Sequence, residues 1–235
     1  MPDFSQRATG REFMDDLEAS GGHLHQALRE LDAINYILGG NYVTLNGLAR
    51  LLETADTSGG LHIADLGCGS GDMLTLIRRL LVKRDIDATL TGIDANAHVV
   101  KYAETHTPPA CGIHFENLNI FSEEFRARKF DVVTGTLFFH HFTTDQLIDL
   151  FRQLKSQVSV GMIINDIHRH WLAFYAIKWL TRLLSRSPMV RHDAPLSVLR
   201  AFRKSELAEI MKRAGIVDYR IKWCWAFRWQ VIVRF

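Results

Sequence analysis

The chain has 235 residues, 47% of them hydrophobic and 23% charged, with a formal net charge of +2. That is ample material for one large α/β domain, and it excludes a disordered or low-complexity protein. Three cysteines, Cys68, Cys111 and Cys224, form no C-x-x-C pair, which excludes a disulfide framework and a cysteine zinc site; no apolar run reaches the roughly 18 residues of a membrane span, and the polar start of the chain lacks a secretory pattern, so a cytoplasmic protein is expected.

Taken in chain order, residues 24–38 place Leu24, Leu28, Leu31, Ile34 and Leu38 at helical spacing, and Gly39-Gly40 closes that helix. A second short helix is predicted near 43–53, and 56–60 is a loop. From there strands and helices alternate: a strand at 61–66, a helix at 72–83, a strand at 88–94, a helix at 97–105, then strands at 113–118 and 130–136. A helix at 143–157 with a threonine N-cap leads to a strand at 161–165. Residues 167–203 interrupt the alternation, a helix at 205–214 restores it, and the strand-like runs 217–224 and 227–235 end the chain as an edge hairpin. Such alternation implies a parallel sheet with helices on both faces.

The sharpest motif is Asp65-Leu66-Gly67-Cys68-Gly69-Ser70-Gly71-Asp72, between a strand and a helix. A dinucleotide fingerprint, G-x-G-x-x-G, would need glycine where Asp72 stands, and an acid at a helix N-terminus would repel a pyrophosphate. The spacing present is G-x-G-x-G with an acid two residues upstream. Asp94 ends the next strand, 23 residues past Gly71, where a carboxylate can accept hydrogen bonds from ribose hydroxyls.

With these residues the chain resembles the class I S-adenosylmethionine-dependent methyltransferases, in particular those acting on quinones, phenols and polyketides. The resemblance rests on Asp65, Gly67, Gly69 and Gly71, on Asp94-Ala95, on Asn119-Ile120, and on Phe130-Asp131-Val132-Val133 followed by Gly135-Thr136 and His140-His141. It implies a Rossmann-like seven-stranded sheet, mostly parallel with an antiparallel last strand, and S-adenosylmethionine as cofactor. It gives Asp94 the ribose, makes Ala95 a further cofactor-binding residue, and gives Asn119 and Ile120 the adenine and Gly135 and Thr136 backbone contacts to the methionine part. An acid such as Asp65 beside the loop suits a ligand that carries an ammonium and no phosphate.

Acceptor residues are sought at the ends of the fourth and fifth strands, because ligands of open α/β sheets bind there. His141, Asp166 and His168 are the catalytic candidates, and His140, His170, Arg191 and His192 the substrate-binding ones. Histidine suits proton transfer near neutral pH. The His168/His170 spacing matches no standard metal-ligand pair, so no metal is expected. Residues 1–57 read as an N-terminal helical cap, 58–235 as the methyltransferase domain, and 167–203 as an inserted substrate cap. Within that insertion Trp171–Leu184 is an apolar helix with a narrow polar stripe, which suits a cap over the pocket, a homodimer contact or a membrane surface.

The expected reaction is methyl transfer to a small hydrophobic or phenolic metabolite, at oxygen before carbon. Residues 168–235 carry fourteen Lys/Arg against four Asp/Glu, which keeps an RNA methyltransferase as the alternative. No appended RNA-binding module accompanies that charge, so nucleic acid is not the expected partner. A non-catalytic S-adenosylmethionine-binding protein is the second alternative.

Overall fold

A computed structural model describes residues 2–235, so Met1 at the edge of the expected cap lies outside the described residues. Strand β1 (Leu61–Leu66) is buried at five of six positions, the pattern of a strand covered on both faces. It pairs in parallel with β2 (Ala88–Asp94) and β4 (Phe130–Thr136). Strand β3 (Ile113–Asn117) extends one edge and β5 (Val158–Ile167) the other, both parallel. The sheet is completed by β6 (Tyr219–Cys224) and β7 (Arg228–Arg234), in the order β3-β2-β1-β4-β5-β7-β6. β7 runs antiparallel to both neighbours and lies inside the sheet, so β6 is the edge strand of the terminal hairpin.

The helices follow the apolar spacing of the sequence. They are α1 (Gly21–Ile37), α2 (Gly40–Leu52), α3 (Asp72–Lys83), α4 (Ala97–His106), the single turn α5 (Glu123–Arg126), α6 (Thr144–Gln157), α7 (Trp171–Leu184), α8 (Pro188–Arg200) and α9 (Lys204–Arg213). On one face, Leu48 and Leu51 of α2 and Leu74 and Ile77 of α3 pack with Ile63, Val132 and Ile163. On the other, α6 and α9 bury Phe151, Leu154, Ile210 and Met211 against Val133, Met162 and Val231. Thr143 caps α6 through a reciprocal bond with Gln146, as its sequence predicts.

Three expectations change. Residues 1–57 are not one cap: α2 is a layer of the sheet sandwich, with the Nε2 of buried Gln230 donating to the Val43 carbonyl at 2.7 Å, and only the segment through α1 overhangs the strand ends. β5 does not stop at Asn165; its ladder with β7 continues to Ile167. The expected insertion therefore starts later and holds two helices. The second, α8, escapes the periodicity because Pro195 sits inside it and half of its buried residues are polar, namely Asp193, Ser197 and Arg200.

Residues 2–20 run as a strap over the C-terminal ends of the strands. Ala8 N donates to Leu199 O at 3.0 Å. Arg7 donates to the carbonyls of Arg200, His140 and Phe142 at 2.7, 3.0 and 2.8 Å. The amides of Phe13 and Met14 donate to the two oxygens of Asp193 at 2.9 and 3.0 Å.

Candidate active site

A single cavity of about 1200 Å³ opens at the C-terminal ends of β1, β2 and β4, beneath the strap, α1 and α7. Its floor is the loop after β1. Gly67, Gly69 and Gly71 all take positive φ, at 67°, 52° and 80°, which side-chain-bearing residues resist. A Cβ on Gly67 would lie 2.1 Å from the Phe138 ring, whereas one on Gly69 would find only Leu28, at 4.0 Å. Gly69 thus keeps open space for a ligand lying on the backbone. Gly71 is the N-cap of α3, and it and Gly135 stand behind the wall: a Cβ at Gly135 would meet Phe139 at 2.4 Å, so that glycine seats an aromatic ring and forms none of the cavity surface.

Carboxylates surround the floor. Asp65 is buried, accepts from the Thr134 hydroxyl at 2.6 Å, and is pushed up to about 7 by burial. Burial also raises Asp94, against the Asn96 amide that donates to its Oδ1 at 2.9 Å. Asp32 of α1, not singled out in the sequence, lies beside Ser70 and is pushed by burial to about 6. Ala95, Asn119, Ile120 and Thr136 all reach the wall. Asn119 Oδ1 is engaged by the Phe121 amide at 2.9 Å, and Thr136 shares a 2.7 Å hydroxyl contact with Thr44. Leu137, at the end of β4, is held at φ 56°, a strained conformation for a branched side chain, over the same cavity.

The far wall is polar where the strap meets the loop after β4. His140 is buried, with Nδ1 against Asp166 Oδ1 at 2.8 Å. Burial tends to raise Asp166, but the adjoining imidazole holds it below the ordinary carboxylate range. Asp166 itself is fully buried and does not line the cavity, so it reaches the site only through His140. His141 is partly exposed, and its Nδ1 meets Asp15 Oδ1 at 2.6 Å. Burial opposes the ionisation of Asp15, yet His141 and Arg200 keep it well below the usual range. Glu12, raised by burial, accepts the Ser197 hydroxyl at 2.7 Å and lies 3.7 Å from His140 Nε2 and 3.5 Å from Arg200 Nη1.

The remaining sequence candidates fall elsewhere. His168 and His170 lie outside this cavity and line a separate shallow one with Arg203 and Lys204. The continued pairing of β5 with β7 carries His168 past the mouth, where its ring packs on Trp229 at 4.8 Å. Arg191 is turned to the Ser185 carbonyl, with Nε at 2.9 Å. His192 is half exposed against Phe13 and bonds Asp193 at 2.7 Å. Neither lines the cavity. The basic excess of the C-terminal third is in part internal: Arg169, Arg200 and Arg228 are all buried, Arg169 on Glu206 at 2.6 Å. Of helix α7, Ala173, Ala176, Ile177 and Leu180 face the cavity, while Trp171, Trp179, Leu183 and Leu184 are exposed. No helix among the described residues is long and apolar enough to cross a membrane.

A doubly wound sheet of this order, with a glycine loop after β1 and an acid ending β2, defines the Rossmann-like fold of class I methyltransferases. Residues 63–161 match the family model described as a methyltransferase domain. No curated protein sequence matches it. Several solved structures share the fold. A candidate O-methyltransferase of Nostoc punctiforme PCC 73102 is 14% identical, with 91% of this chain and 60% of that one covered and a TM-score of 0.60. The magnesium protoporphyrin IX methyltransferase of Synechocystis PCC 6803, solved with S-adenosylhomocysteine, is 18% identical over 83% and 82% of the two chains, with a TM-score of 0.54. Human N-acetylserotonin methyltransferase, solved with S-adenosylmethionine, is 16% identical over 90% and 56%, with a TM-score of 0.60. The chain spans less than two thirds of the length of the Nostoc and human proteins.

Open space over Gly69 and carboxylates at Asp65 and Asp94 fit a ligand with an ammonium at one end and ribose hydroxyls at the other. The residues present therefore suit S-adenosylmethionine. Sequence reasoning missed Glu12 and Asp15, whose only signal is an acidic run, Glu12-Phe13-Met14-Asp15-Asp16, in a segment read as part of a helical cap.

Proposed function

We propose that this enzyme methylates an oxygen of a small, largely apolar or phenolic acceptor. The observation that carries this reading is that one cavity joins the glycine loop to an apolar wall from α1 and α7 and to a polar cluster of buried Glu12 and His140 with partly buried His141. An elongated apolar molecule fits that wall, and a hydroxyl is the group that a basic cluster inside it would receive.

When bound, S-adenosylmethionine supplies an electrophilic methyl group. The roles of the chain follow from position. Asp94 accepts the ribose hydroxyls and Ala95 packs beside them. Asn119 offers its free amide nitrogen to the adenine edge, with Ile120 beneath the ring. Asp65 and the amides of the glycine loop hold the methionine end, with Thr136 closing that end. The strap and α7 exclude water from the acceptor, which strengthens the electrostatics inside. At the far wall Glu12, His140 and His141 orient the acceptor oxygen toward the methyl group, and Asp166 acts through His140 as a positioning residue. Alignment of nucleophile and methyl carbon supplies most of the rate in such a displacement.

The reading is tested by calorimetric titration of S-adenosylmethionine into wild type, Asp94→Ala and Gly69→Val, followed by methyl transfer from labelled cofactor to a panel of phenols, hydroxyquinones and aliphatic acids. Binding weakened by both changes, with label in an ether or ester product, is the expected result. A folded protein that binds no S-adenosylmethionine overturns the cofactor assignment, and label on carbon or nitrogen overturns oxygen as the acceptor.

A further inference from the structure

Two atoms at the far wall are buried and have no hydrogen-bond partner: Glu12 Oε1 and His140 Nε2. They face each other at 3.7 Å, too far for a direct hydrogen bond, and each residue is more than nine-tenths buried. Orphaning two such groups is costly unless something sits between them. One donor atom of His141 joins them, all three lying within 4.8 Å of one another.

Each imidazole is also fixed from behind. His140 gives Nδ1 to Asp166, and His141 gives Nδ1 to Asp15, which leaves Nε2 as the ring nitrogen open to a ligand. A carboxylate on the rear nitrogen is the usual support of a metal-binding histidine. Two bonds of about 2.0–2.2 Å meeting at roughly 120° span the Glu12–His140 separation. Charge favours a cation as well: Glu12, Asp15, Asp166 and Asp193 stand against Arg7 and Arg200, and Arg200 already pairs with Asp15 and approaches Glu12.

We propose that Glu12, His140 and His141 hold a divalent metal ion, zinc by its two-nitrogen, one-oxygen donor set, and that the acceptor oxygen takes the remaining open position. The acceptor's O–H bond breaks as the oxygen–metal bond forms, and the proton passes to water, so the nucleophile arrives as its anion. The metal site stands on these residues alone; the place of the acceptor rests on the proposed function.

The test strips the protein with a chelator and titrates Zn²⁺ and Co²⁺, following cobalt by its visible absorption. One ion per chain is expected, with a cobalt spectrum of nitrogen and oxygen ligands that shifts when a phenol is added. Glu12→Gln and His141→Ala should abolish the spectrum, Asp166→Asn should weaken binding roughly ten- to hundredfold, and His168→Ala should leave it intact. Circular dichroism checks that each variant folds. Stripped wild type that binds S-adenosylmethionine but neither ion overturns the metal site and leaves methyl transfer standing. Binding that survives both Glu12→Gln and His141→Ala, or that is lost in His168→Ala, overturns it too. Metal uptake without any cofactor binding upholds the site while methyl transfer fails.

Discussion

Asp65 and Gly69 illustrate what single residues decide. Burial holds the Asp65 carboxyl near 7, so below that pH it is protonated before cofactor arrives. A cationic ligand favours the ionised form, and binding must then expel a proton. Affinity for S-adenosylmethionine is expected to rise with pH and level off above 7, falling by up to about tenfold per pH unit below it. Calorimetry in buffers of different ionisation heat should detect the released proton, and Asp65→Asn should flatten the profile. Gly69 has room for a Cβ but a φ of +52°, so Gly69→Ala costs about 1–2 kcal/mol of stability for the left-handed backbone. Its methyl group would occupy the ligand's space, so cofactor affinity should drop far more than thermal stability. Gly67→Ala should reverse that order, because its Cβ would collide with Phe138 at 2.1 Å and disturb the fold itself.

This scale also explains what the sequence discloses. The glycine loop and Asp94 are legible because backbone turns and strand ends leave local marks. The pairing of His141 with Asp15 spans 126 residues, and no local pattern encodes it. His168 and His170 look catalytic in the sequence because a dense polar run follows an apolar strand. Their true place depends on how far β7 extends the ladder, which is set by a partner sixty residues away in the chain.

Among the elements, strands β1, β2 and β4 and helices α3 and α7 stand where their periodicity puts them. The misread ones have a common cause. α2 has the same amphipathic pattern whether it covers a cavity or a sheet, and α8 buries Asp193, Ser197 and Arg200 among its apolar residues, which blurs the apolar stripe that marks a buried face. The junction of β5 and β7 gives the sharpest stability test. A Cβ on Gly161 would lie 2.2 Å from the Val233 carbonyl of the neighbouring strand and 2.9 Å from Leu51 of α2. Gly161→Ala should therefore lower stability by at least the roughly 1–3 kcal/mol of an overfilled core. Denaturant titration with an unchanged slope would check it.

For the molecule as a whole, the glycine-loop end and the histidine end of the cavity come from different parts of the chain. The floor belongs to the sheet, while Glu12 and Asp15 arrive on the strap, which is held mainly by Arg7, the Ala8 amide and Asp193. Removing residues 2–20 should leave S-adenosylmethionine affinity within a few-fold of wild type and abolish methyl transfer. Loss of cofactor binding in a folded truncation would show that the strap also builds the floor.

That division bears on how such an enzyme can diversify. The strap is short, docks through a few side chains and backbone groups, and carries none of the sheet's core. Under the proposed function, substitutions in it retune which hydroxyl is received while selection on the glycine loop and Asp94 stays undisturbed. Exchanging the strap alone is then the economical route to an enzyme with a new acceptor and an old cofactor.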